Sequence, residues 1–155
     1  MTTLGTYIVE QRKHINMTQG KLSAASGCPD STLRMYEKDE SVPDIVKTMR
    51  IAEALGLDIQ DFADALSKQR PSTDTLPVFG TADRFDAVKF GESLKGYRVL
   101  EEIPLADAAH EIGVATSTLA SWEKGKHLPT LLQVIDLAEA YDVTVADLIE
   151  GAFYE

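Results

Sequence analysis

Two sets of short polar and cationic side chains recur in this chain at a constant offset of 86 residues. Gly27, Ser31, Thr32, Leu33, Glu37, Lys38 and Pro43 meet Gly113, Ser117, Thr118, Leu119, Glu123, Lys124 and Pro129. Their hydroxyl and ammonium groups, with the Arg34 guanidinium in the first set, offer hydrogen bonds and positive charge. That is the chemistry of recognition rather than of bond-making. Bond-making chemistry is poorly supplied elsewhere. His14, His110 and His127 have no metal-like spacing to one another or to Cys28, and the chain holds no glycine loop of the phosphate-cradling kind. The carboxylates fall mostly on helix faces and near caps, where they read as solvated charge. Cys28 aligns with Val114 and reads as a small core residue. These residues predict no enzyme, no metal and no cofactor.

The elements that carry the two sets repeat as well. Residues 4–62 slide onto 90–148 without a gap, with 13 identities over 59 positions, Ala52-Glu53-Ala54 on Ala138-Glu139-Ala140 among them. A period this long means two compact units rather than a solenoid. At about 60 residues, each is close to the smallest unit that buries its own core. The expected organisation is a first domain at residues 1–66, a linker at 67–86 and a second domain at 87–155.

Each unit reads as short helices. In the first, Leu4, Ile8, Ile15 and Met17 suggest an apolar stripe through one helix and its exit. Thr18 caps residues 19–26, and Gly27 ends them in a left-handed conformation. A third helix spans 30–38. Pro43 opens a fourth, with Ile45, Met49, Ala52 and Leu55 on one face and Gly56 at its end. Asp58 and Asp61 have the spacing of a capping pair before a last turn around Phe62 and Leu66. The second unit repeats the order through Phe90, Leu94 and Tyr97, then residues 105–112, Gly113, residues 116–124, 129–141 and 144–149, with Thr144 and Asp147 as the capping pair. No strand pair alternates convincingly, so the fold class is all-α. The linker holds Pro71, Pro77 and Gly80, and as a flexible chain it spans about 25 Å. Residues 81–86 belong to it or extend the next helix, and Leu76, Val78 and Phe79 offer apolar groups that could dock on a domain.

Composition narrows the function classes. The 155 residues are 44% hydrophobic and 26% charged, as in soluble globular chains. No run approaches the roughly 18 apolar residues of a membrane span, the first residues lack the pattern of a secretion signal, and the single Cys28 makes no internal disulfide. The expectation is a cytoplasmic protein with no membrane partner. The net charge of −10 divides as −3 over residues 1–66, 0 over 67–86 and −7 over 87–155. Phosphate binding calls for a basic face, so the total charge lends such binding no support.

A short helix, a tight turn at Gly27 or Gly113 and a further short helix describe a helix-turn-helix. On the run Thr18-Gln19, Gly27, Ser31-Thr32-Leu33-x-x-Tyr36-Glu37-Lys38 and Pro43, the first unit resembles the five-helix DNA-binding domain of the phage Cro and repressor proteins, the XRE family. The second resembles it on Gly113-Val114, Ser117-Thr118-Leu119-x-x-Trp122-Glu123-Lys124-Gly125-Lys126 and Pro129. The resemblance implies two tandem lambda-repressor-like domains. In such a domain the second helix meets a phosphate at its N-terminus, and the third lies in the major groove.

The resemblance also assigns residues. Leu33 and Tyr36, like Leu119 and Trp122, face the core. Asp30, Ser31, Arg34 and Met35 then face out in one unit, and Thr116, Ser117, Ala120 and Ser121 in the other. Arg34 is the one long cation among them for a guanine. Asp30 either accepts from a cytosine amino group or caps its helix. Gln19, Lys21, Lys38, Lys124 and Lys126 are the expected contacts to the DNA backbone. Arg12 with Glu37, and Arg98 with Glu123, correspond to buried ion pairs that fix the first helix against the third.

The sequence also departs from the pattern. Leu105, after Pro104, stands where Gln19 does, Asp39-Glu40 stands where Gly125-Lys126 does, and Pro29 and Ala115 replace a polar cap. Each unit thus keeps half of a phosphate clamp. The implied function is a sequence-specific transcriptional regulator, a repressor that acts by occupying double-stranded DNA. The second reading, motivated by the acidic second unit, is a protein-interaction module or antirepressor. A homodimer and a regulatory protein partner stay open, as does replacement of the dimer by two units in one chain.

Overall fold

The computed structural model describes residues 2–67 and 80–153. Within these, the first unit holds α1 (Leu4–His14), α2 (Gln19–Ser26), α3 (Asp30–Glu37), α4 (Ile45–Ala54) and α5 (Ile59–Leu66). The second holds α6 (Ala87–Leu100), α7 (Leu105–Ile112), α8 (Thr116–Glu123), α9 (Leu131–Ala140) and α10 (Val145–Glu150). Among the described residues there is no strand, and no helix is long and apolar enough to cross a membrane. Leu76, Val78 and Phe79 lie outside the described residues.

The local signals act as their chemistry dictates. The Thr18 side chain accepts from Lys21 N at 3.1 Å and starts α2. Gly27 (φ 72°) and Gly113 (φ 77°) end α2 and α7 in the left-handed region. Asp58 with Asp61, and Thr144 with Asp147, form reciprocal capping boxes on α5 and α10. At Pro29 and Ala115 no side-chain cap forms, so α3 and α8 start without one. Residues 81–86 do not extend α6. Ala82–Arg84 is a separate 3-10 turn, Phe85 is extended, and the Asp86 carboxylate caps α6 by accepting from Val88 N.

The closest helix contact was not anticipated from the sequence. A Cβ at Gly5 would lie 2.5 Å from the Tyr36 carbonyl oxygen, and one at Gly91 would lie 2.5 Å from the Trp122 carbonyl oxygen. These glycines are repeat counterparts. Each lets its first helix press onto the end of the helix that follows the glycine turn.

The two units pack directly on each other instead of hanging on a tether. One buried apolar cluster runs through both, from Leu4 and Phe62 to Phe90 and Ile149. Helix α5 packs on α10 and α9, and α4 on α9. Asp44 pairs with Thr130 as an isolated antiparallel bridge, and Ile45 N donates to the Pro129 carbonyl at 2.9 Å. The buried Gln60 accepts from Ala146 N at 2.8 Å. The segment entering the second unit is also held. Ala82 N donates to the Glu53 carboxylate at 2.6 Å, and Phe85 stacks edge-on against Phe153 at 5.9 Å.

Candidate nucleic-acid interface

The site is built on α3 and α8. Their inner stripes, Leu33 with Tyr36 and Leu119 with Trp122, are buried. The outward positions of α3 are all exposed: Asp30, Ser31, Arg34 and Met35. On α8, Thr116 and Ser117 are exposed, while Ala120 and Ser121 are half-buried. The Ser121 hydroxyl donates back to the Thr118 carbonyl at 2.7 Å, so its proton is spent on its own helix. Asp30 does not cap α3. It sits in the first turn, where a carboxylate favours the helix dipole without a capping bond.

Both ion pairs implied by the resemblance are present and largely buried. Arg12 Nε lies 2.8 Å from Glu37 Oε1, and Arg98 Nε lies 2.8 Å from Glu123 Oε2. Each arginine also donates to a carbonyl at the exit of the first helix, Met17 O at 3.1 Å and Ile103 O at 2.9 Å. The hydrogen bond to Glu123 holds the Arg98 guanidinium above its ordinary pKa.

The pairs differ in what satisfies the second carboxylate oxygen. In the second unit Arg98 supplies it, with Nη2 at 3.0 Å from Glu123 Oε1. In the first unit the Gln19 amide donates to Glu37 Oε2, and the Gln19 carbonyl oxygen accepts from Arg34 Nε at 3.3 Å. Arg34 is thereby tied through Gln19 to the buried pair. The second unit has lost both ends of this link together, with Leu105 and Ala120 at the matching positions. Sequence reasoning treated Gln19 and Arg34 separately. Their joint replacement in the other unit was the signal that could have joined them.

The acidic loop of the first unit also has a structural purpose. Asp39 accepts from Gly5 N at 2.9 Å and from the Thr3 hydroxyl at 2.6 Å, so its charge lies at the N-terminus of α1. It does so from a left-handed conformation (φ 59°) that Gly125 adopts in the second unit. Exposed cations beside α3 include Lys21, Arg34 and Lys38, with Lys47 and Arg50 lining a pocket shared with Thr32 and Tyr36, and exposed cations beside α8 include Lys124 and Lys126. At the start of α7 stand Leu105 and, in the first turn, Asp107 where α2 has Lys21. An acid there would repel an anion, so the starts of α2 and α7 differ in the sign of their charge.

Two copies of one helical arrangement, each presenting a polar helix beyond a glycine turn, define a tandem helix-turn-helix protein. A family model described as helix-turn-helix, of the XRE type, matches twice, over residues 8–62 and 94–148. These stretches cover more than half of the chain, and the chain belongs to that family of DNA-binding regulators. No curated protein and no solved structure matches it significantly.

Proposed function

We propose that the protein is a sequence-specific transcriptional repressor that acts by occupying its operator. The observation that carries this reading is the presentation of Arg34. It is exposed on the outward face of α3, yet held through Gln19 to the buried Glu37–Arg12 pair. A cation fixed in this way has paid part of its ordering cost before binding, which suits a guanine edge in the major groove. Ser31 and Met35 complete that face. Lys21, Lys38, Lys124 and Lys126, with Gln19, supply the contacts to phosphate. Of the acids nearest α3, Glu37 is paired with Arg12 and Asp39 accepts from the start of α1, whereas Asp107 in the second unit opposes a phosphate.

A second reading is a protein-interaction role for the second unit, as in an antirepressor. At the end of α6, Val99 and Leu100 are 56% and 76% exposed, where the first unit has Lys13 and His14. Quantitative gel shifts at moderate salt, on DNA upstream of the protein's own and neighbouring reading frames, separate the two. Selective retardation supports the repressor. Indifference to DNA, with a protein partner recovered by pull-down and lost on Leu100→Asp, supports the interaction module.

A further inference from the structure

We infer that a single chain reads a single DNA site, and that this site is an imperfect inverted repeat with unequal halves. The inference rests on the DNA-binding reading above and adds the symmetry and the stoichiometry of the target.

The contacts between the units supply the symmetry. Asp44 faces Thr130, and Gln60 accepts from Ala146 N. Both pairs are separated by 86, the offset of the repeat itself, so each residue meets its own counterpart. The Asp44–Thr130 bridge is antiparallel, so the counterpart segments run in opposite directions, as a two-fold axis between them requires, whereas a translation would set them parallel. The axis passes between α5 and α10, and the shared buried cluster holds the units to it. Helices α3 and α8 are therefore related approximately as the recognition helices of a symmetric dimer are, the bond from Ile45 N to the Pro129 carbonyl being made on one side only. Such helices meet inverted half-sites about one helical turn apart, ~34 Å. The face through which a second copy would join is already covered by the chain's own other half.

The outward residues supply the inequality. Ser31 and Ser117 agree, but Asp30, Arg34 and Met35 stand against Thr116, Ala120 and Ser121. The Gln19–Arg34 link exists on one side only. A homodimer gives two equal readings by necessity. This chain keeps the two-fold frame and uncouples the readings, so that only the half under α3 depends on a guanine.

The test uses the full chain. Bound fragments are selected from random duplex DNA, and the mass of the complex is measured by sedimentation. The expected result is one chain per duplex, a binding slope of one and an inverted motif with dissimilar halves. Replacing the guanine of one half should weaken binding about 10-fold or more, while replacing the matching base of the other half changes it much less. The variant Leu105→Gln/Thr116→Asp/Ala120→Arg/Ser121→Met, checked for unchanged helicity, should select a symmetric motif. Selective binding of two chains to a palindrome, or of one chain to a direct repeat, would overturn the inference and leave the repressor reading standing. Loss of all sequence preference in the parent chain would remove the repressor reading, and the inference with it.

Discussion

Replacing the arginine of each buried pair should hurt the two units unequally. Arg98→Met strands Glu123, which is 7% exposed and has both oxygens bonded to that one arginine, at 2.8 and 3.0 Å. Leaving a buried carboxylate uncompensated costs about 3–5 kcal/mol, and Ile103 O loses its donor as well. Arg12→Met leaves Glu37 equally buried, but Gln19 still donates to its second oxygen. A hydrogen bond to a charged group retains about 1.5–3 kcal/mol, so the net loss falls to about 2 kcal/mol. The expected gap between the variants is therefore about 2 kcal/mol, a large share of a total stability of about 5–15 kcal/mol.

Urea unfolding followed by circular dichroism and by the single tryptophan, Trp122, measures it. The two probes should coincide, because one core joins the units. The double variant Arg98→Met/Glu123→Leu should recover most of the loss, since a buried pair replaced whole by apolar groups is close to neutral. Equal losses for the two arginines would refute the assignment of Gln19 as the second partner of Glu37, and no recovery in the double variant would refute the stranded Glu123 as the cause of the Arg98→Met loss.

Other consequences are as specific. Arg34→Ala should relax base preference at one position, whereas Lys124→Ala should weaken binding to all sequences and flatten its salt dependence by about one unit of slope; equal effects of both on every sequence would reject that division. Gly91→Ala places a Cβ 2.5 Å from the Trp122 carbonyl oxygen and should cost about 2 kcal/mol after the helix-propensity gain. Gly96→Ala, on the same helix with open space around it, should instead add up to about 1 kcal/mol, so a thermal melt of the pair distinguishes packing from propensity. The buried Tyr141 hydroxyl lacks a hydrogen-bond partner among the described residues, and Tyr141→Phe should raise stability by about 1 kcal/mol in the same melt. Burial pushes the Cys28 thiol pKa up, with Lys47 opposing. Its alkylation rate should begin to rise at higher pH than that of the urea-unfolded chain, and a coincident profile would contradict the half-buried position.

Much of the architecture was legible in the residues because the signals are local. Thr18, Gly27, Asp58 and Thr144 act within a turn of themselves, so their types alone announce where helices start and stop. The offset of 86 announced two units of one kind, and with it the recurrence of Arg12–Glu37 as Arg98–Glu123. The caps of α3 were less legible. Asp30 looked like a capping residue, but the chain enters α3 one position earlier, at Pro29, and places the carboxylate in the first turn.

What only the tertiary structure decided lies at longer range. That Asp39 belongs to the start of α1, that Gln19 ties Arg34 to Glu37, and that Gly5 and Gly91 sit under carbonyls each depend on contacts more than ten residues apart, which no periodicity records. The meeting of the two units is the largest case. Their likeness was printed in the sequence, but a repeat gives the same pattern whether its copies hang on a tether, stack head to tail or close around an axis. Only the pairing of Asp44 with Thr130 and of Gln60 with Ala146 selects the axis, because symmetry is a property of positions in space and not of order along a chain.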